Sequence, residues 1–386
     1  MSDLSGTWTD ISSYVKSLSF RYGRQNELNR TEAGTGAISL HDPQSKFDPR
    51  NTGSPYYPNV KPRRPIRARA LLGGTYYPLF QHYVERWPRA SRLASVYTER
   101  SVETVDVFKL LALPSLASKT YSSQLSKDRV AAVLTDAGWS TTRRTFNGSG
   151  QTTVGSATFA ADDSTTALDH IFAVTSTEDG LFFIGRDGYT VFDDRWQLIN
   201  TAAPAVATFV DDPDSGGTPY ASLIPSNEDD LLYNEWIGTR SGGTPQNASD
   251  ATSITAYGRS TNTFTSLAAA DGDVLSAAQF KLSVYKDPIQ RIQSLTLRPG
   301  DSTSFWQTLL GSSFDLGAKV TIKEKPPGFT STLTADYIIQ SISVEIPTGT
   351  VNQATWTLGV WPATTNPWLI LDDANLGLLD TGVLAY

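Results

Sequence analysis

The chain has 386 residues, of which 39% are hydrophobic and 18% charged, a balance that supports packed cores and is unlike a disordered chain. It contains no cysteine, which excludes disulfide bonds, thiol nucleophiles and thiolate-rich zinc sites. Its net charge of −7 argues against a protein that coats nucleic acid. At roughly 150 residues per domain we expect two or three domains, with no secretory signal and no membrane-spanning run of about 18 apolar residues.

Residues 1–106 predict a β-domain of short strands and tight turns. Along the stretch 66–72, apolar side chains alternate with Arg67 and Arg69, which is the pattern of a strand with one buried face. The inward set is Ile66, Ala68, Ala70 and Leu72. Gly73 and Gly74 then form a two-residue turn that tolerates positive φ at both positions, so a second strand returns antiparallel to the first.

Residues 107–200 predict a small α/β domain at the periphery. Ser126 is expected to be the N-cap of one helix, and Asp163 or Ser164 the N-cap of a second. The dipeptide Asp187-Gly188 stands between two apolar runs, which is a strong hairpin signal.

Residues 201–365 predict a second β-barrel-like domain with an inserted helix. A short helix is expected over 249–257. Asp273 is expected to cap the longer inserted helix, which should run to about Tyr285 and stop before Pro288. The expected strands cover 289–298, 316–325, 332–347 and 351–360. The last segment, 366–386, carries many large apolar side chains and predicts a tail that docks on a protein surface.

Nine different short motifs follow one another along the chain. They are Trp8, Gly23-Arg24, Ala33-Gly34-Thr35, Phe47-Asp48-Pro49, Pro65-Ile66-Arg67, Pro78-Leu79-Phe80, Arg186-Asp187-Gly188, Tyr257-Gly258-Arg259 and Leu371-Asp372-Asp373. In order and spacing, the chain resembles the tail hub proteins, or minor tail proteins, of long-tailed (siphovirus-like) bacteriophages that infect actinobacteria. The resemblance covers most of the chain.

The resemblance implies a mainly β fold with two β-barrel-like tail-hub domains and a small α/β insertion. It implies a structural, non-enzymatic hub at the virion tail tip, or baseplate, assembled in the host cytoplasm. Such a hub forms a ring, expected here to be a homotrimer, that closes the tail tube and attaches receptor-binding proteins for host adsorption and DNA delivery. The implied partners are the distal tail ring, the tape measure and the tail fibre proteins, with transient passage of DNA.

Two alternatives remain open at this point, and a third, a peptidoglycan hydrolase, lacks any identifiable nucleophile or metal set. The chain would be the distal tail ring protein if six copies form one layer. It would be an adhesin that binds cell-wall carbohydrate if exposed Trp and Tyr side chains cluster on one face.

One basic cluster stands out in this acidic chain. It comprises Arg63, Arg64, Arg67 and Arg69. Pro62 and Pro65 exclude a helix there, so the cluster is a loop that enters a strand. Arginines can contact DNA phosphates, but one short cluster is a weak nucleic-acid signature. We therefore interpret these four residues as subunit-interface or lumen candidates.

No residue pattern predicts catalysis, a metal or a cofactor. The three histidines, His41, His82 and His170, lack metal-ligand spacing, and His82 and His170 are expected to pack beside apolar side chains. No Gly-x-Ser-x-Gly motif is present. The acidic run at 211–214 lacks the spacing and terminal Glu of a helix-loop-helix calcium site, so we interpret it as a solvated turn.

Overall fold

The fold is mainly β, with 39% strand and 22% helix, as predicted. The computed structural model describes residues 7–88, 99–199, 203–212, 214, 216–227, 229–347 and 351–363. The predicted docking tail, 366–386, lies outside the described residues. No helix in the described ranges is both long and apolar enough to cross a membrane.

Strands and helices alternate irregularly along the chain. The strands are β1 (Val15–Gly23), β2 (Glu32–His41), β3 (Pro65–Leu72), β4 (Thr75–Arg86), β5 (Glu99–Val105), β6 (Thr120–Tyr121), β7 (Gln124–Leu125), β8 (Arg144–Asn147), β9 (Thr153–Val154), β10 (Ala157–Thr158), β11 (Leu181–Ile184), β12 (Thr190–Asp193), β13 (Ala207–Val210), β14 (Thr218–Pro219), β15 (Ser222–Asn227), β16 (Glu235–Arg240), β17 (Gln246–Ser249), β18 (Thr261–Ser266), β19 (Gln290–Leu297), β20 (Lys319–Glu324), β21 (Leu333–Ile346) and β22 (Thr355–Pro362). The helices are α1 (Phe108–Leu111), α2 (Ser126–Asp136), α3 (Ala167–Glu178), α4 (Arg195–Ile199), α5 (Ala251–Tyr257), α6 (Asp271–Tyr285) and α7 (Thr303–Leu310).

One large sheet joins the beginning and the end of the chain. Its strand order is β14-β13-β20-β21-β1-β2-β5-β4-β3, and β22, β19 and β15 continue from β21 as a branch. The joint is the antiparallel pair β1–β21, in which Phe20 lies opposite Val344 and Tyr22 opposite Ile342. Strands from both predicted barrels therefore share one hydrogen-bonded sheet. The division of the chain at 106 and 200 remains a prediction.

The first hairpin has the predicted strands and turn. Gly73 and Gly74 adopt φ angles of +57° and +82°, which a two-residue turn of this kind requires. The inward set Ile66, Ala68, Ala70 and Leu72 packs against the main hydrophobic core, as the alternation predicts. A β-bulge between Ala68 and Arg69 was not predicted; it shifts the pairing from Phe80 to Pro78.

A second core is formed by the segment 107–200 together with Tyr83 of β4. It includes the buried side chains Val130, Val133, Ile171 and Phe192 of α2, α3 and β12. The short strand β11 faces two cores at once. Leu181 and Phe183 belong to the main core, whereas Phe182 and Ile184 belong to the second core. Alternation along a strand places successive side chains on opposite faces, so β11 connects the two packed regions.

The predicted helix starts need correction. Ser126 is the first residue of α2 and does not cap it, because its hydroxyl donates instead to the buried carboxylate of Glu178 at 2.7 Å. The second helix, α3, begins after neither Asp163 nor Ser164. Its N-cap is Thr166, whose side-chain oxygen accepts from the backbone N–H of Asp169 at 3.1 Å.

A third core lies in the inserted part of the second β region. It surrounds Trp236 and the apolar side of α6. The insertion contains a three-stranded sheet of order β17-β16-β18 and both predicted helices, of which the shorter, α5, begins at Ala251. The longer helix, α6, ends at Tyr285 as expected, but it begins at Asp271, so Asp273 lies in its first turn and is not its N-cap.

Helix α7 was not predicted. Its N-cap is Ser302, whose hydroxyl accepts from the backbone N–H of Phe305 at 3.3 Å. Phe305, Trp306, Leu309 and Leu310 are buried in the main core. The helix packs against β3 and β4, and thus lies behind the arginine-bearing strand.

Candidate functional site: the arginine edge of the first hairpin

The four arginines predicted as contact residues occupy a strand at one end of the large sheet. Strand β3 pairs only with β4 among the described strands, which makes it an edge strand. Edge strands present unpaired backbone groups and are common sites of contact with another chain. We call the outward side of β3, with Arg67 and Arg69, the arginine edge.

Both arginines of this edge stack on aromatic rings. The guanidinium carbon of Arg67 lies 4.2 Å from the ring centre of Trp8, and that of Arg69 lies 4.3 Å from the ring centre of Tyr76. Stacking of this kind holds a guanidinium in place while its N–H groups stay able to bind acceptors. Burial, followed by the adjacent charge of Arg69, lowers the pKa of Arg67 from its usual value. The edge is therefore a place where two like charges are held close together.

Arg63 and Arg64 lie in the loop before β3 and have a different setting. The backbone N–H of Arg63 donates to the carbonyl of Val84 at 2.7 Å, and the N–H of Val84 donates to the carbonyl of Arg64 at 2.8 Å. The side chain of Arg64 donates to Asn59 Oδ1 at 2.7 Å. The two backbone contacts fasten the loop to β4. Arg67 and Arg69 line one cleft together, whereas neither Arg63 nor Arg64 lines it.

A cleft of about 280 Å³ opens beside the arginine edge. Its other wall is the turn between β11 and β12, and its lining includes Arg143, Arg186, Asp187 and Tyr189. Gly188 adopts φ +81°, and a side chain there would meet that of Gln81 at about 3.0 Å. Glycine therefore allows this turn to approach β4 closely.

Arg186 anchors the turn and is not available to a ligand. Its guanidinium donates to the carbonyls of Leu309, Gly311 and Phe314 at 2.9, 2.6 and 2.9 Å. Its Nε lies 3.8 Å from a carboxylate oxygen of Asp315. These groups are at the C-terminal end of α7, where carbonyls lack helical partners. Sequence reasoning assigned Arg186 only to a turn, because its partners are more than 120 residues away.

Two buried carboxyl groups have pKa values raised to about 7. Burial raises the pKa of Asp106 to about 7, even though the N–H groups of Gly34 and Phe108 donate to it. Burial also raises the pKa of Asp193 to about 7, with the charges of Asp315 and Asp194 adding to the effect. Neither residue lines the cleft.

Two of the histidines are packed side chains, as predicted. Burial lowers the pKa of His82 to about 3, and His82 lies 3.0 Å from the hydroxyl oxygen of Thr104. Burial and then the charge of Arg129 lower the pKa of His170 to about 4. Both imidazoles are therefore neutral at physiological pH. The cleft lining includes neither of them.

The acidic run between β13 and β14 forms hydrogen bonds to backbone. Asp211 accepts from the N–H of Lys325 at 2.6 Å, and Asp212 accepts from the N–H of Asp214 at 3.0 Å. Across the described ranges, no three His, Asp or Glu side chains converge as a metal site.

Comparison with known proteins yields structural matches only. No family model and no curated protein matches the sequence. A tail protein from Neisseria meningitidis MC58 superimposes with a TM-score of 0.59 at 10% identity, over 90% of this chain and 92% of that one. The 43 kDa tail protein of prophage MuSo2 from Shewanella oneidensis gives a TM-score of 0.57 at 12% identity, over 90% and 94%. The chain therefore has the fold of these tail proteins.

A component of the E. coli type VI secretion system has a similar fold. Its TM-score is 0.51 at 10% identity, over 91% of this chain and 74% of that one. That protein is described as structurally similar to the bacteriophage T4 tail proteins gp27 and gp5.

Proposed function

We propose that the chain is a structural hub protein of a bacteriophage tail tip. The observation that carries the proposal is the shared fold over nine-tenths or more of both chains with two tail proteins. A match of that extent leaves little of this chain for a separate catalytic domain. In this role the hub closes the tail tube and attaches the receptor-binding proteins used for host adsorption and DNA delivery.

The chemistry of the described residues supports a structural role. Asp106 and Asp193, whose pKa values are raised to about 7, are buried, and His82 and His170 are neutral and packed. A general base needs a titratable group within reach of a substrate. Four of the ten residues that line the cleft beside the arginine edge are arginines, and Asp187 is the one carboxylate in that lining.

The packing of one aromatic cluster argues against a sugar-binding platform at that place. Phe47 stacks on Tyr56 with ring centres 5.0 Å apart and on Trp87 with centres 6.1 Å apart. Tyr14 meets Phe47 edge-on at 5.2 Å. Phe47 is buried and its ring faces are covered by its neighbours, so it offers no open face for a carbohydrate ring.

We further propose that the hub is a ring of three copies. Each chain carries two β-rich segments, so three chains supply six similar units to a sixfold tail tube. In this ring the arginine edge is a subunit contact. The distal tail ring, the tape measure and the tail fibre proteins would then be neighbours along the tail axis, and DNA would pass transiently through the centre.

Native mass spectrometry of the purified chain tests this proposal. We expect a closed trimer, which tail tips should also contain. A chain that stays monomeric at high concentration would contradict the ring. Six copies in one layer would support the distal tail ring protein instead.

A further inference from the structure

The two ends of the large sheet carry opposite charge. The strand order begins at β14 and finishes at β3. The β3 end is the arginine edge. At the β14 end, Asp211, Asp212 and Asp214 follow β13 and are exposed. We call these three residues the acidic loop.

Like charges accumulate at the acidic end. Burial, followed by the charge of Asp211, raises the pKa of Glu324, which lies on the neighbouring strand β20. Burial and then the charges of Asp211 and Glu324 raise the pKa of Tyr220. Lys323 and Lys325 flank Glu324 in the sequence and offset part of the negative charge at this end. Asp212 and Asp214 form no ion pair with any residue of the described ranges.

The arginine edge likewise holds charged side chains without ion pairs, and here the charges are positive. Neither Arg67 nor Arg69 forms an ion pair within the described part of the chain. Hydrogen bonds from Ser12 are the main cause of the lowered pKa of Asp10, and Arg69 makes a smaller contribution. Asp187 lies across the cleft. Arginine binds carboxylates through two parallel N–H donors, and each guanidinium is already held by an aromatic ring.

Strand geometry favours side-chain contact over strand addition at this junction. The outermost strand at the acidic end, β14, has two residues, and one of them is Pro219. Proline has no N–H to donate to a new strand and is typical of protected edges. A continuous sheet across two copies is therefore disfavoured, whereas carboxylates on the adjoining loop remain free to reach arginines.

We propose that the arginine edge of one copy binds the acidic loop of the next copy. Arg67 and Arg69 face Asp212 and Asp214 across this contact. Because the two surfaces differ, the contact is head-to-tail, and repetition closes a ring when the rotation permits. The inference rests on the proposed ring and names the residues that form it.

Charge reversal at each end tests the pairing. One variant carries Arg67→Glu and Arg69→Glu, a second carries Asp212→Arg and Asp214→Arg, and a third carries all four changes. Native mass spectrometry and sedimentation measure assembly, with circular dichroism to confirm folding. The matched control carries Arg21→Glu and Arg298→Glu. Both positions are exposed and lie outside the two surfaces, and the change in net charge equals that of the first variant.

Each two-residue reversal should weaken association by about tenfold or more, since opposed like charges replace the pairs. The four-residue variant should recover the wild-type copy number. A mixture of the first two variants restores contacts only between unlike chains, so it should give even-numbered assemblies and no trimer. The matched control should assemble as the wild type does.

The outcomes separate this inference from the proposed ring. A wild-type chain that remains monomeric contradicts the ring and the pairing together. A wild-type ring that both reversals leave unchanged contradicts the pairing alone. If each reversal disrupts the ring but the four-residue variant fails to restore it while remaining folded, the two surfaces contact other partners and the pairing is wrong.

Discussion

Asp193 is a carboxyl group at the meeting point of three segments. It accepts a hydrogen bond from Asn147 Nδ2 at 2.7 Å, and the carboxylates of Asp194 and Asp315 are close enough to raise its pKa further. Its pKa of about 7 exceeds the usual value of 3.8. The folded chain therefore holds this proton more tightly than the unfolded chain does. The associated stability is present below about pH 4 and is lost as the pH rises through 7.

Replacing Asp193 with Asn should stabilise the chain in alkaline solution. An amide keeps the oxygen that accepts from Asn147 and removes the buried charge. Each unit of pKa displacement corresponds to about 1.4 kcal/mol, so we expect a gain of a few kcal/mol at pH 8 and almost none at pH 4. Thermal unfolding at both pH values measures the difference. Asp301→Asn at an exposed position is the control, and equal midpoints for Asp193→Asn and wild type at pH 8 would refute the expectation.

At the scale of single elements, local pattern predicted some features of the chain and missed others. The β3–β4 hairpin follows from alternation and a Gly-Gly turn, which act over a few residues. The start of α2 does not follow, because the hydroxyl of Ser126 binds Glu178, a residue 52 positions later. Helix α7 was missed because its eight residues are short for a periodic signal. Alternation predicted that Arg67 and Arg69 share the outward face of their strand, whereas the edge position of β3 and the contacts of Arg186 with distant carbonyls depend on the tertiary fold.

Arg186→Lys should detach the end of α7 from the β11–β12 turn. A lysine ammonium cannot reproduce the planar fork that reaches the carbonyls of Leu309, Gly311 and Phe314. Hydrogen bonds from charged groups contribute about 1.5–3 kcal/mol each. The lysine ammonium can replace only part of these hydrogen bonds, so we expect the free energy of unfolding to fall by about 3 kcal/mol. Urea denaturation measures the loss, and Arg298→Lys is the matched control. A change below about 0.5 kcal/mol would exclude an anchoring role.

At the scale of the whole molecule, β11 couples the stability of the main core to that of the second core. Phe182 and Phe183 are adjacent, almost equally buried, and point into different cores. The segment 107–200 was predicted as a separate small α/β domain from its own helix and hairpin signals. Such local signals cannot reveal that one strand supplies side chains to both cores. Because a strand cannot unfold on one face alone, loss of either core exposes the other.

Phe182→Ala and Phe183→Ala should therefore lower the midpoint of the same unfolding transition. Truncation of a buried phenylalanine costs about 3–5 kcal/mol through lost burial and the cavity left behind. Calorimetry, with fluorescence and circular dichroism as second probes, should show one transition shifted to a similar extent in both variants. Ile224→Ala, at an exposed position, should leave it in place. Two transitions, with Phe182→Ala shifting only one of them, would instead show that 107–200 unfolds independently. In that case the segment 107–200 would stay folded without the packing of Phe183 in the main core.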